Sequence, residues 1–198
     1  MFLGEHLSEN LTDLLNACQC PKAAAAASVL QAALTNSDPE ELLIEFARLF
    51  VGPFELGAPP YGSVYLEENG RLMGDSTLAV QRKYREAGLA QEIKEAPDHI
   101  ALELEFLHYL CRMEAEALAK NLPEQAEEWA AIEAEFLCRL LRPWVPTFCE
   151  KIRQGTATGF YRGLADCLDN FVAEIGLFPA IMPAQQESAL ANVCRTAL

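Results

Sequence analysis

The sequence predicts an all-α protein, organised as a single helical domain over residues 1–198. Apolar residues recur every three to four positions along most of the chain, which is the spacing of one helix face. Prolines and glycines divide the chain into segments of helical length. Alternation of apolar and polar residues, typical of strands, occurs only at residues 63–66. We therefore expect a helical bundle of roughly nine to eleven helices with one long functional loop.

The N-terminal segments favour helix formation. Residues 8–34 contain leucines at helical spacing and a run of alanines, and Pro21 is predicted to break this segment in two. Asp38 and Pro39 are a typical N-cap and first helical residue, and the helix that they begin should end at Gly52. Its apolar positions are Leu42, Leu43, Phe46, Leu49 and Phe50.

Residues 52–74 form the least regular part of the sequence. They contain five glycines and three prolines, which interrupt helices and strands. A loop of about 20 residues is long for a compact domain and usually has a function. Asp75 or Ser76 is predicted to cap the helix that follows the loop, and Gly88 is predicted to end it.

The second half of the chain is also predicted to be helical. The longest helix should run over residues 98–120, where leucines and aromatic residues form an apolar stripe. Prolines and glycines separate the later helices, which are predicted at residues 123–141, 148–153, 158–175 and 184–198.

The charge of the chain restricts its partners. A net charge of −14 at pH 7 argues against nucleic acid, because phosphates require a basic surface. An acidic surface is compatible with a cationic partner, and it also maintains solubility. The first ten residues lack the basic segment that begins a signal peptide, and no run of about 18 apolar residues could span a bilayer. We therefore expect a cytoplasmic protein without a membrane span.

The sequence lacks the motifs of common catalytic sites. Glu105 and His108 match one Glu-x-x-His element of a di-iron bundle, but the second element is missing. Cys18 and Cys20 have no second pair nearby to complete a zinc site. Neither a phosphate-binding glycine-rich loop nor a nucleophile elbow is present. We predict no metal, no catalytic residue and no enzymatic activity.

Five motifs occur in order between residues 39 and 172. They are Phe46-Ala47-Arg48-Leu49-Phe50-Val51-Gly52-Pro53, Pro59-Pro60-Tyr61-Gly62-Ser63-Val64-Tyr65-Leu66, Gly74-Asp75-Ser76-Thr77, Pro97-Asp98-His99 with Glu103-Leu104-Glu105-Phe106, and Trp144 with Gly159-Phe160-Tyr161-Arg162-Gly163-Leu164. In this order the chain resembles the TorD/DmsD-type redox-enzyme maturation chaperones. The first three motifs look closest to the DmsD branch, although Tyr61 stands where that branch often has tryptophan.

The resemblance implies a TorD-like helical fold and a chaperone function. Such a chaperone binds the twin-arginine signal peptide of a molybdoenzyme precursor, here of DMSO-reductase type, before cofactor insertion and export. Translocase components are further partners that it implies. The implied peptide-binding residues are Phe46, Leu49, Phe50, Pro60, Tyr61, Asp98 and His99, and Gly74, Asp75, Ser76 and Glu103 would support the loop and the helix ends. A groove would hold the apolar part of the peptide, and Asp98 would meet its arginines.

Other interpretations stay open at this point. By helical spacing alone Phe46, Leu49 and Phe50 would be core residues, and Asp98 would be a helix cap. The chain could also be a guanine-nucleotide-binding protein or hydrolase, or a general helical adaptor without preference for twin arginines. No phosphate-binding motif favours a nucleotide. We predict no cofactor, although contact with guanine nucleotide or molybdopterin is compatible with the resemblance.

Overall fold

The computed structural model describes residues 7–52, 56–90 and 95–176. Within these ranges the regular structure is helical, and the one β-type pairing is an isolated antiparallel bridge between Tyr61 and His99. The predicted all-α fold is therefore confirmed. The α-helices of the described residues are α1 (Leu7–Ala17), α2 (Pro21–Thr35), α3 (Pro39–Phe46), α4 (Ser63–Leu66), α5 (Asp75–Glu86), α6 (Ile100–Ala119), α7 (Pro123–Phe136), α8 (Val145–Gly155) and α9 (Gly159–Glu174).

Most of these helices begin where the sequence predicts. Pro21 starts α2 after Gln19, whose φ of 58° reverses the chain direction. The carboxylate of Asp38 accepts a hydrogen bond from Glu40 N at 3.0 Å and so caps α3. Gly88 follows α5 with a φ of 77°, as a residue beyond a helix end often does. The helix predicted over residues 184–198 lies outside the described residues.

Residues 63–66 form the single helical turn α4, and the strand-like alternation there is misleading. Leu66 N donates to Gly62 O at 3.1 Å, which closes the turn. Ser63 N donates to Asp98 Oδ2 at 2.7 Å, so a carboxylate from a distant segment accepts the first helical N–H. Four alternating residues cannot specify a strand without a partner strand beside them.

The chain divides into two compact units. The first contains the described residues of Met1–Pro60 and Val145–Pro179, and therefore α1, α2, α3, α8 and α9. The second contains those of Tyr61–Trp144, and therefore α4, α5, α6 and α7. The predicted single domain stays a prediction.

Small residues bring α2 and α9 close together in the first unit. Ala23, Ala24 and Ala27 of α2 are buried. A Cβ at Gly163 of α9 would lie 3.1 Å from Leu30 Cα, so the glycine permits this approach. Small side chains at these positions therefore allow the two helices to pack backbone against backbone.

Two helices end in a π-helical turn. In the first unit α3 continues into Ala47–Val51, and in the second unit α7 continues into Leu137–Leu141. Such turns are rare and often occur at functional sites, because the extra residue changes the direction of the following side chains. The first π-turn contains two of the predicted peptide-binding residues, Leu49 and Phe50.

Aromatic residues form the core of the second unit between α5, α6 and α7. The ring of Phe106 lies 4.7 Å from that of Tyr84 and 4.9 Å from that of Phe136, measured between centroids. Trp144, after the second π-turn, is fully buried. No helix among the described residues is long and apolar enough to cross a membrane.

Candidate functional site

The backbone holds Tyr61 and His99 together in the second unit. The two residues form the antiparallel bridge, and the neighbouring Gly62 N donates to Asp98 O at 2.9 Å. Their rings meet edge to face, with centroids 5.3 Å apart and planes at 76°. Both side chains are half-buried. The structure therefore brings together three of the predicted residues, Tyr61, Asp98 and His99.

Asp98 is buried beneath this pair, with 1% of its surface exposed. Its Oδ2 accepts from Ser63 N, while its Oδ1 accepts no hydrogen bond from the described residues. The prediction that Asp98 caps α6 is wrong, because His99 Nδ1 accepts the hydrogen bond from Ala101 N at 3.1 Å. Asp98 instead organises the start of α4, and in this conformation it does not present its charge to solvent.

His99 is a neutral side chain in this arrangement. Because its Nδ1 accepts a hydrogen bond, the proton of the neutral imidazole lies on Nε2. Burial lowers the pKa of His99 below 6.5, although the negative charges of Glu95 and Asp98 oppose the shift. At pH 7 His99 therefore carries no positive charge that would repel a cationic peptide.

Glu95 is a residue of this cluster that the sequence analysis missed. Its exposed carboxylate accepts a hydrogen bond from Tyr61 Oη at 3.1 Å. Burial and the contact with Glu95 raise the pKa of Tyr61, so the phenol stays protonated. Glu95 lies in an acidic part of the sequence, where one more acid gives no distinct signal.

Glu103 lies under the same cluster, in the first turn of α6. Its Oε2 accepts from Trp144 Nε1 at 3.1 Å, and its Oε1 accepts no hydrogen bond from the described residues. Burial raises the pKa of Glu103 well above 4.5, and Asp98 adds to this shift, while the bond from Trp144 opposes it. A Cβ at Gly62 would lie 3.1 Å from Trp144 Nε1, so Trp144 packs directly against the backbone beside Tyr61.

Gly74, Asp75 and Ser76 lie at the start of α5, but neither Asp75 nor Ser76 caps it. Ser76 N and Ser76 Oγ both donate to Glu67 Oε1 at 2.7 Å, so the cap comes from Glu67. A Cβ at Gly74 would collide with the carboxyl group of Glu67. The glycine is therefore required for the close approach of Glu67, and Asp75 is the exposed first residue of the helix.

The predicted residues of the first unit do not share one face. Leu49 is fully buried, where a Cβ at Gly57 would lie 3.3 Å from its Cδ2, and Pro60 is buried as well. Phe46 is 46% exposed. The ring of Phe50 is half-buried, and on its outer side its centroid lies 5.4 Å from that of the exposed Phe46. On its inner side Phe50 contacts the rings of Phe148 and Tyr161, at 6.2 and 5.8 Å.

Further large apolar side chains surround Phe46 on the surface. Leu43 is 69% exposed, and Ile44 and Val51 are each 64% exposed. At 3.6 residues per turn they lie on the same side of α3 and its π-turn as Phe46 and Phe50. We call these five residues, Leu43, Ile44, Phe46, Phe50 and Val51, the α3 face. This face could not be recognised from the sequence, because periodicity does not distinguish a buried apolar face from an exposed one.

Glu45 lies on the opposite side of α3 and is buried. Its carboxylate accepts from Thr156 Oγ1 and Ala157 N, both at 2.8 Å, and from Thr158 N at 3.2 Å, and Arg48 forms an ion pair with it at 2.8 Å. Burial alone would raise the pKa of Glu45, but these hydrogen bonds lower it to about 2. Glu45 thus fixes α3 to the turn between α8 and α9. An acid within the apolar run of residues 42–46 was the signal that could have found it.

The surfaces described offer apolar contact, aromatic rings and carboxylate acceptors. In the parts of the chain that the structure describes, no three or more His, Cys, Asp or Glu residues are grouped so that they could hold a metal ion. The arrangement is suited to binding an apolar or cationic segment of another molecule.

Comparison with known proteins gives relatives that are named as chaperones. A family model described as "Nitrate reductase delta subunit" matches residues 16–150. Chaperone protein TorD of Vibrio parahaemolyticus is 31% identical over 139 residues, which are 69% of this chain and 63% of that protein. Tat proofreading chaperone DmsD of Salmonella typhi is 32% identical over 148 residues, which are 74% of this chain and 66% of that protein.

A solved structure of a proposed redox enzyme maturation protein from Archaeoglobus fulgidus shares 22% identity at a TM-score of 0.48, covering 87% of this chain and 98% of that chain. This structural likeness is too low to support a conclusion.

These matches confirm the resemblance to the TorD/DmsD-type chaperones. The names of the relatives agree with the predicted chaperone and not with a nucleotide-binding protein or a general adaptor. TorD and DmsD relatives match at similar identity, so the assignment to the DmsD branch stays a prediction. The chain spans less than two thirds of the length of these curated relatives. Because the family model matches more than half of its residues, the chain belongs to the nitrate reductase delta subunit family, that of the TorD-type chaperones.

Proposed function

We propose that the chain is a cytoplasmic chaperone that binds the twin-arginine signal peptide of a molybdoenzyme precursor and itself catalyses no reaction. The relatives support this proposal, because they are named as chaperones and DmsD as a proofreading chaperone for Tat, the twin-arginine translocation route. A chaperone that acts before export works in the cytoplasm. Translocase components are further proposed partners, and a DMSO-reductase-type subunit is the proposed client.

The exposed α3 face is the observation that carries the proposal. Four large apolar side chains, each at least 46% exposed, lie together on one helix side. Large exposed apolar patches usually mark binding sites, because leaving them in water is unfavourable. A twin-arginine signal peptide carries an apolar stretch after its arginine pair. Burial of that stretch against the α3 face would remove both apolar surfaces from water.

The predicted peptide-binding residues take different parts in this proposal. Phe46 and Phe50 would contact the peptide directly, whereas Leu49 and Pro60 are buried and would not touch it. In the second unit Tyr61 and His99 are half-buried and could contact a peptide. Asp98 and Glu103 would support that pair rather than touch the ligand, because both carboxyl groups are buried.

Calorimetry of the full chain with a twin-arginine signal peptide tests the function. We expect binding of this peptide and weaker binding of a matched peptide with a Lys-Lys pair, since lysine lacks the bidentate geometry of arginine. A folded chain that binds neither peptide would contradict the proposed function. Binding and turnover of guanine nucleotide, measured with and without Mg²⁺, would favour the alternative instead.

Phe46→Ala tests the part played by the α3 face. Removal of one large apolar contact should weaken binding about tenfold or more, given roughly 1.5–3 kcal/mol for burial of such a side chain. Val29→Ala is the matched control, because Val29 is 63% exposed and belongs to a different helix, α2. Equal affinities of the two variants would show that the peptide binds elsewhere.

A further inference from the structure

We propose that Glu40 and Glu41, at the start of α3, receive the arginine pair of the peptide, and that its apolar stretch then runs along the α3 face towards Val51. This inference rests on the proposed function. It adds the residues that recognise the charge and the direction in which the peptide lies. The peptide would bind with its basic end at the N-terminal end of α3.

The burial of Asp98 means that the arginine pair requires another acceptor. Its side chain is enclosed, and one of its oxygens already accepts from Ser63 N. An arginine could reach Asp98 only after the surrounding chain opened. Glu40 and Glu41 are exposed, and they belong to the helix that carries the apolar face. A guanidinium can contact them without displacing any part of the chain.

Helix geometry places Glu40 directly before the apolar residues. Leu43 and Ile44 follow it by three and four positions, so the three side chains are neighbours on one side of α3. From Glu40 to Val51 the helix rises by roughly 16 Å at 1.5 Å per residue. This length matches about five extended or eleven helical peptide residues. The acid therefore stands at one end of an apolar track of suitable length.

The other end of the track carries an ion pair. Arg48 is exposed, and its guanidinium donates to Glu45 Oε1 and to Gly155 O. The carboxylate of Glu45 is buried and already paired, so it is not open to an arginine of the peptide. Exposed acids at the beginning and a buried, paired acid near the end therefore favour one direction, in which the arginine pair lies at Glu40 and Glu41. This charge complementarity commits the face to a segment with basic residues before its apolar residues.

The double variant Glu40→Gln/Glu41→Gln tests the acceptor. Its affinity for the twin-arginine peptide should fall roughly three- to tenfold, the range expected for loss of two exposed ion pairs. Its affinity for the same peptide with the pair replaced by Gln-Gln should stay unchanged. Asp38 is left intact because it caps α3, and circular dichroism checks that the helix persists.

Glu127→Gln/Glu128→Gln is the matched control. It removes the same two charges from adjacent exposed positions on α7. If both double variants weaken binding equally, only the net charge matters and the inference is overturned. If Glu40→Gln/Glu41→Gln has no effect while the wild-type chain binds, the inference fails and the proposed function stands. No binding by the wild-type chain would overturn the proposed function itself.

Photo-crosslinking measures the direction independently. A photoreactive residue beside the arginine pair should crosslink to the start of α3, and one at the end of the apolar stretch should crosslink near Val51. The reversed pattern, or crosslinks elsewhere, would overturn the inference. The α3 face could instead be covered by a second copy of this chain. A dimer that persists at saturating peptide in sedimentation, and that Phe46→Ala dissociates, would establish that occupant and exclude the peptide from the face.

Discussion

At the scale of single residues, two buried glutamates show how hydrogen bonding decides the state of a carboxyl group. Glu45 accepts hydrogen bonds from four donor residues, and its pKa falls to about 2. Glu103 accepts one from Trp144 and has an oxygen without a partner among the described residues, and burial raises its pKa. Both side chains are little exposed, and the carboxylate with four donors has the lowered pKa whereas the one with a single donor has the raised pKa.

The two glutamates should therefore contribute to stability with opposite pH dependence. The pKa of Glu45 is lower in the folded chain, so its contribution is present above pH 4.5 and is lost as the pH falls towards 2. A shift of this size corresponds to about 3 kcal/mol. Glu45→Gln should thus lower the free energy of unfolding most at neutral pH, and its effect should diminish below pH 4.5.

Glu103 should behave in the reverse way. Its pKa is raised in the folded chain, so its contribution is complete below pH 4.5 and is lost as the pH rises through the folded pKa. Glu103→Gln mimics the protonated acid, and its stability relative to wild type should rise with pH. Urea unfolding from pH 3 to 8 measures both variants, with Glu105→Gln as an exposed control. Parallel pH profiles for the two variants would contradict this account.

At the scale of elements, the N-terminal ends of several helices are capped by carboxylates from other segments of the chain. Asp98 caps α4, Glu67 caps α5, and Glu174 accepts from Ala23 N at the start of α2. Each satisfies N–H groups that have no partner within the helix. These contacts join segments that are separated in sequence. Those of Asp98 and Glu67 therefore fix the loop around α4 although it contains little regular structure.

The effects of substitutions at Gly74 and at Glu67 on the stability of the chain should be coupled. Gly74→Ala places a Cβ where the Glu67 side chain lies, with Glu67 Cγ at 2.6 Å, so Glu67 must move and lose its hydrogen bonds to Ser76. We expect Gly74→Ala to lower the unfolding midpoint in the wild-type background and much less in a Glu67→Ala background. Urea unfolding of the four proteins measures this coupling.

Gly159→Ala is the control for the substitution of Gly74. Its Cβ would meet Ala33 Cβ at 3.6 Å, an ordinary van der Waals distance, at the first residue of α9. This variant should be as stable as wild type or slightly more stable, since alanine favours a helix. If Gly74→Ala were equally well tolerated, Glu67 would not be a significant cap of α5.

At the scale of the whole molecule, the charge of −14 should act on the rate of association. A negative surface attracts a cationic peptide over a distance that dissolved salt shortens, to roughly 10 Å at 0.1 M. The association rate of the twin-arginine peptide should thus fall about tenfold or more between low salt and 0.5 M. Stopped-flow fluorescence measures this rate.

A peptide with Gln-Gln in place of the arginine pair is the control for the salt dependence of the association rate. Its association should depend much less on ionic strength, because it carries less positive charge. A salt dependence that is the same for both peptides would show that steering does not act on the arginine pair.

The sequence by itself determined the longer helices of the described residues, their boundaries within a few residues, and the family, but not the single turn α4. Proline, glycine and capping residues act through neighbours in the chain, so Pro21, Asp38 and Gly88 could be read directly. The family motifs identified Tyr61, Asp98 and His99 as a group, and the structure brings them together. Local signals of this kind need no knowledge of packing.

Only the tertiary structure decided which of these groups are accessible. In the folded chain Asp98 and Leu49 are buried, and Leu43 and Ile44 are exposed. Glu67 caps α5 in place of Asp75 or Ser76, and His99 caps α6 in place of Asp98. Burial depends on what packs against a residue from distant parts of the chain, and helical periodicity carries no information about that partner. The exposure of Glu40 and Glu41, which we propose as acceptors of the arginine pair, and the burial of Asp98 are therefore visible only in the folded chain.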